Sequence, residues 1–447
     1  MTVLPIEHSA AAARGSRGPS PLPRIGASFA DLGVPAPIVA ALADAGITDP
    51  FPIQAAALPD ALSGRDILGR GQTGSGKTLA FSIPLVALLA DGYSMACRPR
   101  GLVLVPTREL ASQVEAVLAP LARAAGLSTV TIYGGTPQSR QVAALQNRAD
   151  IVVACPGRLA DLMEQGHCHL GDVEVSVVDE ADHMADLGFL PVVRRLLDAT
   201  PSDGQRMLFS ATLDKDVDVL VRRFLSEPAV HSVDPADTPA PVVHHVLTVA
   251  PADRLGVVTA LAGGHGRTLI FTRTRHAASQ LARQLSKARV SAAELHGDLT
   301  QGVRERNLAA FSTGAVRVLV ATDIAARGIH VDGIDLVIHA DPPSEDKAYV
   351  HRSGRTARAG ASGVVVTIQT PAQSRDVSAL MRRAGVVPLR APAGPDSAVL
   401  AEIAGPRAAP VTPAPRAAQP VVTAAASQAT GRGAVALSAG YRGRRRR

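Results

Sequence analysis

The stretch Ile67-Leu68-Gly69-Arg70-Gly71-Gln72-Thr73-Gly74-Ser75-Gly76-Lys77-Thr78-Leu79-Ala80-Phe81 decides the fold. A short apolar run enters a loop punctuated by glycine, and the loop opens directly into an Ala/Leu-rich helical run. From Gly71 to Thr78 the loop fits G-x-x-x-x-G-K-[ST] at every fixed position, in the strand–loop–helix context that this phosphate-binding pattern needs. Glycines let backbone N–H groups turn toward phosphate oxygens at a helix N-terminus. Lys77 then reaches the β- and γ-phosphates, and the Thr78 hydroxyl is placed to ligate Mg²⁺. The alternative is a glycine-rich turn that holds a lysine by chance. Only four of the 46 basic residues are lysines, Lys77, Lys215, Lys287 and Lys347, so a chance match is on the order of one in a few hundred. The scarcity of lysine decides for a nucleotide site.

Outward from this stretch, short β-branched runs alternate with Ala/Leu-rich helical stretches. Strands are expected at Ile67–Gly69, Leu102–Val105, Ile151–Ala154, Val173–Val178 and Met207–Phe209, and in a second series at Thr268–Phe271, Val316–Val320, Leu336–His339 and Val364–Ile368. Such alternation, with strands apolar on both faces, predicts an α/β chain with doubly wound parallel sheets. Between the two series lies Asp234-Pro235-Ala236-Asp237-Thr238-Pro239-Ala240-Pro241, rich in proline and without periodicity. It marks a linker at 236–241 between domains at 29–235 and 242–390. There is no short tandem repeat.

Composition bounds the rest. The chain has 447 residues, 46% hydrophobic and 19% charged, enough for two domains plus tails. No apolar run approaches ~18 residues, which excludes a membrane span, and the N-terminus lacks an apolar h-region, so no secretory leader is expected. Cys97, Cys155 and Cys168 are too few and too scattered for a disulfide framework, so a reducing cytoplasm is expected. The net charge of +7 suggests a polyanion partner, but it is unevenly spread. Residues 391–447 hold eight arginines against Asp396 and Glu402, a net +6, and residues 1–28 carry +2, which leaves −1 for the middle. Both end segments lack a foldable apolar pattern and are expected to be disordered tails.

About a hundred residues after the glycine loop, Val175-Ser176-Val177-Val178 runs into Asp179-Glu180-Ala181-Asp182. A buried strand ending in acids suits a Mg²⁺–triphosphate site: Asp179 holds the metal or its water shell, and Glu180 orients or deprotonates the attacking water. Alone, this would be a solvated acidic turn; paired with the phosphate loop, the functional reading prevails. The four residues spell DEAD, and from about 29 to 370 the chain resembles the DEAD-box ATP-dependent RNA helicases. The resemblance implies two RecA-like domains in tandem that close around ATP and single-stranded RNA.

Residue by residue, the resemblance implies that Gln54, in Gly46-Ile47-Thr48-Asp49-Pro50-Phe51-Pro52-Ile53-Gln54, reads the adenine edge through its amide, and that Phe29, 17 residues before Gly46, stacks near the base. Phe51 stands where the family usually has Thr. The loop residues Gly71, Gln72, Thr73, Gly74, Ser75, Gly76, Lys77 and Thr78 hold the phosphates. RNA contacts in the first domain come from Pro106, Thr107 and Arg108, from Gly134 and Gly135, and from Pro156, Gly157 and Arg158. Arginine forks and bare N–H groups suit phosphodiester oxygens rather than bases. Cys155 replaces the Thr usual before Pro156. Ser210-Ala211-Thr212 matches the motif whose Ser210 and Thr212 hydroxyls bridge to the acidic motif.

In the second domain, Phe271-Thr272-Arg273-Thr274, His296-Gly297-Asp298-Leu299-Thr300-Gln301 with Arg304, and Ala321-Thr322-Asp323 match the family in order, with Thr274, Gly297 and Thr322 as RNA contacts. In His351-Arg352-Ser353-Gly354-Arg355-Thr356-Ala357-Arg358, the spacing places Arg355 and Arg358 on one helical face; by resemblance they are arginine fingers that reach the γ-phosphate on closure. His330 stands where the family usually has an Asp that touches the nucleotide ribose. His167-Cys168-His169 lacks the spread of a zinc site. The reading is an ATP-dependent RNA helicase that separates short duplexes or remodels ribonucleoprotein. An ATP-gated RNA clamp or annealing chaperone and a DNA-directed helicase are the competing readings. The sequence names no protein partner.

Overall fold

The computed structural model describes residues 26–71, 74–213, 215–232, 242–326, 331, 333–357 and 362–408. The expected linker, Gln72, Thr73, His330 and Arg358 lie outside them, as do both chain ends.

The first domain runs α1 (Ala36–Asp44), α2 (Pro52–Leu62), β1 (Ile67–Arg70), α3 (Lys77–Leu89), β2 (Gly101–Leu104), α4 (Arg108–Ala124), β3 (Thr129–Ile132), α5 (Gln138–Gln146) and β4 (Ile151–Ala154). It continues with α6 (Pro156–Glu164), β5 (Val175–Val178), α7 (Ala181–Asp186), α8 (Leu190–Asp198), β6 (Gln205–Ser210), α9 (Lys215–Phe224) and β7 (Ala229–Ser232). Its seven strands are parallel in the order β3-β4-β2-β5-β6-β1-β7. Central strands β2, β4 and β5 are buried at every residue, as a parallel sheet covered on both faces demands. One core packs α1–α4 on one face and includes the tilted Phe81–Phe209 pair, 5.5 Å between centroids. A second core fills the other face.

The second domain runs β8 (Val242–Thr248), α10 (Arg254–Ala262), β9 (Thr268–Thr272), α11 (Arg275–Lys287), β10 (Ala292–Leu295), α12 (Gln301–Ser312), β11 (Val318–Thr322) and α13 (Asp323–Ala326). After these come β12 (Leu336–His339), α14 (Asp346–Ser353), β13 (Gly363–Gln369), α15 (Ser374–Arg383), β14 (Leu389–Pro392) and α16 (Ala398–Ala404). Its sheet is also parallel, in the order β10-β11-β9-β12-β13-β8-β14, with a core on each face. The expected doubly wound parallel sheets are present in both halves.

Two differences from the sequence expectation stand out. Strands β3, β7, β10 and β14 had no expected counterpart, and they are the four edges of the two sheets. Edge strands are half exposed and mix polar with apolar residues, as in Thr129-Val130-Thr131-Ile132, so they lack the continuous apolar signal of a central strand. The inner strand β8, with paired histidines at 244 and 245, was missed as well. The second correction concerns the tail expected from residue 391. Ala391 and Pro392 pair with β8, Leu400 of α16 is 3% exposed, and Ala408 N donates to Gly263 O at 3.1 Å. Val399, Leu400 and Ile403 join the core beside α10; one helical turn of signal in an Ala/Pro-rich setting was too short to read. Beyond 408 the sequence keeps seven arginines and no acidic residue.

Among the described residues no helix is long and apolar enough to cross a membrane. His167-Cys168-His169 belongs to no metal-holding cluster among them; Cys168 is core, and burial pushes its thiol up to about 12.

Candidate functional site

The phosphate loop joins β1 to α3, and Gly71 N donates to Ser210 O at 3.2 Å, which fastens the loop to the end of β6. Gly76 has φ +89°, and a Cβ there would lie 2.6 Å from Gln54 Nε2, so both backbone shape and space require glycine. Lys77 opens α3 with its side chain buried, and Nζ donates to Gly71 O. Thr78 follows on the first turn, half-buried.

Gln54, on α2, is fully buried. Its Nε2 donates to Gly76 O at 2.9 Å and its Oε1 accepts from Phe51 N at 2.9 Å, so the amide bolts α2 to the loop. Phe29 is 2% exposed within the first core and presents no open face. The aromatic exposed beside the loop is instead Phe51, 47% exposed, against which a Cβ on Gly76 would pack at 3.0 Å.

Strand β5 delivers Asp179, Glu180 and Asp182, all buried. Burial pushes the Asp179 carboxyl up to about 7, with the nearby Lys77 charge pulling the other way and Glu180 adding to the rise. Asp179 at the end of β5 and the Thr78 hydroxyl on the first turn of α3 are oxygen donors of the kind that suit Mg²⁺, which keeps most of its waters and phosphate ligands and uses few protein groups. Asp182 is held by the end of β6. Thr212 N and Oγ1 each donate to Asp182 Oδ2 at 2.9 Å, Asp182 N donates to Ser210 Oγ at 3.3 Å, and Ser210 Oγ donates to Thr212 O at 2.7 Å. The structure thus brings Ser210 and Thr212 onto the acidic motif.

Across from these groups stands the second domain. His351 of α14 and Arg355 line a cavity of about 30 Å³ with Lys77, Glu180, Asp182, His183 and Ala211, room for a water molecule. His351 Nδ1 lies 3.9 Å from Asp186 Oδ2. A second contact joins the domains: Arg304 Nη2 is 2.9 Å from Glu109 Oε1, and both side chains are largely buried. Gln301 Nε2 approaches the same oxygen at 3.5 Å. Within the second domain Arg352 grips Asp323 in a fork, 2.5 and 2.7 Å, and lies over the Phe271 ring. The Q-x-x-R spacing was visible in the sequence; its partner Glu109 was not.

The expected RNA loops all leave C-terminal strand ends. Thr107 caps α4 by accepting from Leu110 N, and Arg108 follows it. A Cβ on Gly135 (φ +81°) would collide with the Arg108 guanidinium, and one on Gly134 would lie 3.8 Å from Arg108 Nη2 and 3.9 Å from Arg158 Nη2. Two arginines therefore converge over a glycine pair, with Pro156 and Gly157 opening α6 beside them. Cys155 is inert there, because burial pushes its thiol up to about 12. In the second domain Thr274 caps α11 by accepting from Ala277 N, Gly297 lies beneath Arg275, and Thr322 ends β11.

The family model for DEAD/DEAH box helicases matches residues 51–220, and that for the helicase conserved C-terminal domain matches residues 253–360. The chain is 38% identical over 367 residues to the ATP-dependent RNA helicase RhlB of Pseudomonas syringae pv. tomato, covering 80% of this chain and 92% of that protein. The chain belongs to the DEAD-box helicase family. To the mitochondrial DEAD-box ATP-dependent RNA helicase 9 of Arabidopsis thaliana this DEAD-box chain is 39% identical over 369 residues, 80% of its own length and 60% of the plant protein's. Among solved structures it is similar to S. cerevisiae Dbp5 bound to RNA and ADP BeF3, with a TM-score of 0.73, 27% identity, and coverage of 84% of this chain and 99% of that one. The fold of the DEAD-box chain is therefore two RecA-like domains in tandem.

Proposed function

We propose that this DEAD-box chain is an ATP-dependent RNA helicase that separates short duplexes or remodels ribonucleoprotein by closing two domains on ATP, Mg²⁺ and single-stranded RNA. The observation that carries the reading is the small cavity shared by Lys77 and Glu180 of the first domain and His351 and Arg355 of the second. Hydrolysis then depends on closure. The glycine loop and Lys77 hold the phosphates, and Thr78 and Asp179 would hold Mg²⁺, whose chemistry when bound would be to neutralise phosphate charge. Glu180 orients the attacking water in the cavity, and Arg355, joined by Arg358, stabilises charge on the transferring phosphoryl group. RNA lying across Arg108, Gly134, Gly135 and Arg158 and on to Thr274, Gly297 and Thr322 favours the closed form, so each ligand raises affinity for the other through one equilibrium. Contacts of this kind address the sugar–phosphate backbone and carry little base preference.

The relatives support this reading: both the Pseudomonas and the Arabidopsis protein are named ATP-dependent RNA helicases, and Dbp5 holds RNA with a nucleotide analogue. The three cysteines are all free, which agrees with a reducing cytoplasm. The test is Glu180→Gln in the full chain. RNA-stimulated ATP turnover is expected to fall about 10²–10⁴-fold, while ATP-dependent RNA binding survives because Lys77, Thr78 and Asp179 remain. Near-parental turnover would overturn the assignment. Stimulation by DNA equal to that by RNA would move the reading to a DNA-directed enzyme, since only RNA offers the 2′-hydroxyl.

A further inference from the structure

The residue after the acidic motif is His183, on the first turns of α7. Its Nδ1 lies 3.1 Å from Glu180 Oε2, and both side chains are buried. A carboxylate only accepts, so the proton of this bond sits on Nδ1, and a neutral imidazole then carries its lone pair on Nε2. That nitrogen is buried with no hydrogen-bond partner among the described residues. A buried acceptor without a donor costs stability, and a leucine of similar volume would avoid the cost. The imidazole is therefore not kept to satisfy a core group; its side-chain polar contact is the one to Glu180.

Glu180 itself is held in an unusual shape. Its backbone lies in the left-handed region, φ +51° and ψ +52°, at the junction of β5 and α7. Non-glycine residues persist there only when their surroundings hold them. Asp182 Oδ1 accepts from His183 N at 3.0 Å, and Asp182 is in turn tied to Ser210 and Thr212. His183 is thus the end of a hydrogen-bonded chain that runs from β6 through Asp182 to the carboxylate in the cavity, opposite His351 and Arg355.

We propose that His183 is a positioning residue for hydrolysis, its Nδ1–H fixing the rotamer of the Glu180 carboxylate so that the carboxylate faces the attacking water. The inference rests on the reading of Glu180 as the water-orienting group. It concerns turnover and not nucleotide affinity, because the phosphates and metal are held by the glycine loop, Lys77, Thr78 and Asp179.

The experiment compares His183→Leu, His183→Asn and His183→Gln in the full chain, measuring kcat and KM for ATP at saturating RNA together with direct binding of a fluorescent ADP. An asparagine amide nitrogen takes the place of Nδ1, whereas that of glutamine takes the place of Nε2. His183→Leu is expected to lower kcat about tenfold to a hundredfold, as for loss of one hydrogen bond to a charged group, with KM and ADP affinity unchanged. His183→Asn should recover most of kcat, and His183→Gln should not. Parental kcat in His183→Leu, or His183→Asn no better than His183→Gln, would overturn the proposal. Where His183→Leu fails to fold, the contrast between Asn and Gln decides alone. In a Glu180→Gln background, His183→Leu should cost nothing further. If Glu180→Gln keeps its turnover, the reading of Glu180 falls; if it loses turnover while His183→Leu does not, only the positioning role falls.

Discussion

The two domains have the same sheet. Reading β3-β4-β2-β5-β6-β1-β7 across onto β10-β11-β9-β12-β13-β8-β14 matches every strand in both order and direction. The loops at their C-terminal ends do not all match. After β2 and β9 the two domains place the same device, a threonine cap followed by an arginine, Thr107-Arg108 and Thr274-Arg275. In both, that arginine lies over glycine after the edge strand two places away in the sheet, Gly134-Gly135 after β3 and Gly297 after β10. After β1, by contrast, the first domain has the glycine loop and Lys77, while after β8 the second has only Val249-Ala250-Pro251-Ala252-Asp253. After β5 stand Asp179 and Glu180; after β12 stand Ala340 and Asp341, and Asp341 is committed to Arg254 and Arg273 N. What is duplicated suits gripping a backbone, and what is single suits phosphate chemistry. One fold carries both because function resides in loops at the strand ends.

The largest effect should come from removing what the second domain lends to the first. Arg355→Ala is expected to lower RNA-stimulated ATP turnover by about 10³–10⁵-fold, the range for an arginine finger, while equilibrium binding of ADP to the first domain stays parental. A loss of only a few-fold in a multiple-turnover ATPase assay would mean that the first domain hydrolyses ATP unaided. Next is the contact that spans the domains. Glu109→Ala leaves Arg304 largely buried without its carboxylate, a change worth about 3–5 kcal/mol for a buried pair. It should raise the RNA concentration needed for half-maximal stimulation while leaving the melting temperature of the first domain in place. An unchanged RNA requirement would remove the pair from closure.

Leu400→Ala tests the extended boundary of the second domain. A leucine 3% exposed on α16 should cost about 2–5 kcal/mol on truncation to alanine, visible as a lower urea midpoint for the second domain alone. No shift would return residues after 390 to a tail. The smallest effect separates the domains by pH. His339 is fully buried on β12, 3.1 Å from Thr367 Oγ1 and edge-on to Tyr349. Burial, the Arg352 charge and His244 hold its imidazole well below the usual 6.5. The folded chain therefore keeps it neutral where the unfolded chain takes up a proton, so its contribution is present above pH 6.5 and is lost as pH falls below it. The slope is at most about 1.4 kcal/mol per pH unit. Urea midpoints at pH 7.5 and 5.5 should diverge more in the parent than in His339→Gln; equal divergence would exonerate His339.

The sequence was legible where one residue type has one physical use. Glycines that must turn left-handed, a rare lysine and an acidic pair after an apolar strand made the glycine loop and the acidic motif readable, and the structure puts Lys77, Glu180 and Asp182 on one small cavity. The central strands were legible because burial on both faces leaves only apolar choices. Edges were not, since Ala292-Ala293-Glu294-Leu295 reads equally well as helix. Contacts between distant segments were invisible too: nothing in Pro106-Thr107-Arg108-Glu109-Leu110 announces that Glu109 meets Arg304, and an isolated Phe29 does not reveal that its ring is core. His183 adjoined the most conspicuous motif in the chain, yet its bond to Glu180 depends on a backbone turn that one-dimensional spacing does not encode.

The position of β8 has a consequence for how the protein is made. β8 spans residues 242–248, yet its neighbours are β13, which ends at Gln369, and β14, which ends at Pro392. During synthesis the first strand of the second domain must wait with both edges bare while roughly 120 further residues emerge, and with one edge bare until roughly 145 have, about seven to thirty seconds at ordinary elongation rates of about 5–20 residues per second. Bare strand edges recruit other strands. A ribosome that stalls between β12 and β14 would therefore release a chain whose finished first domain is tethered to an adhesive, half-built second one, and a chaperone that shields β8 during that interval would act on yield without touching the stability of the final fold.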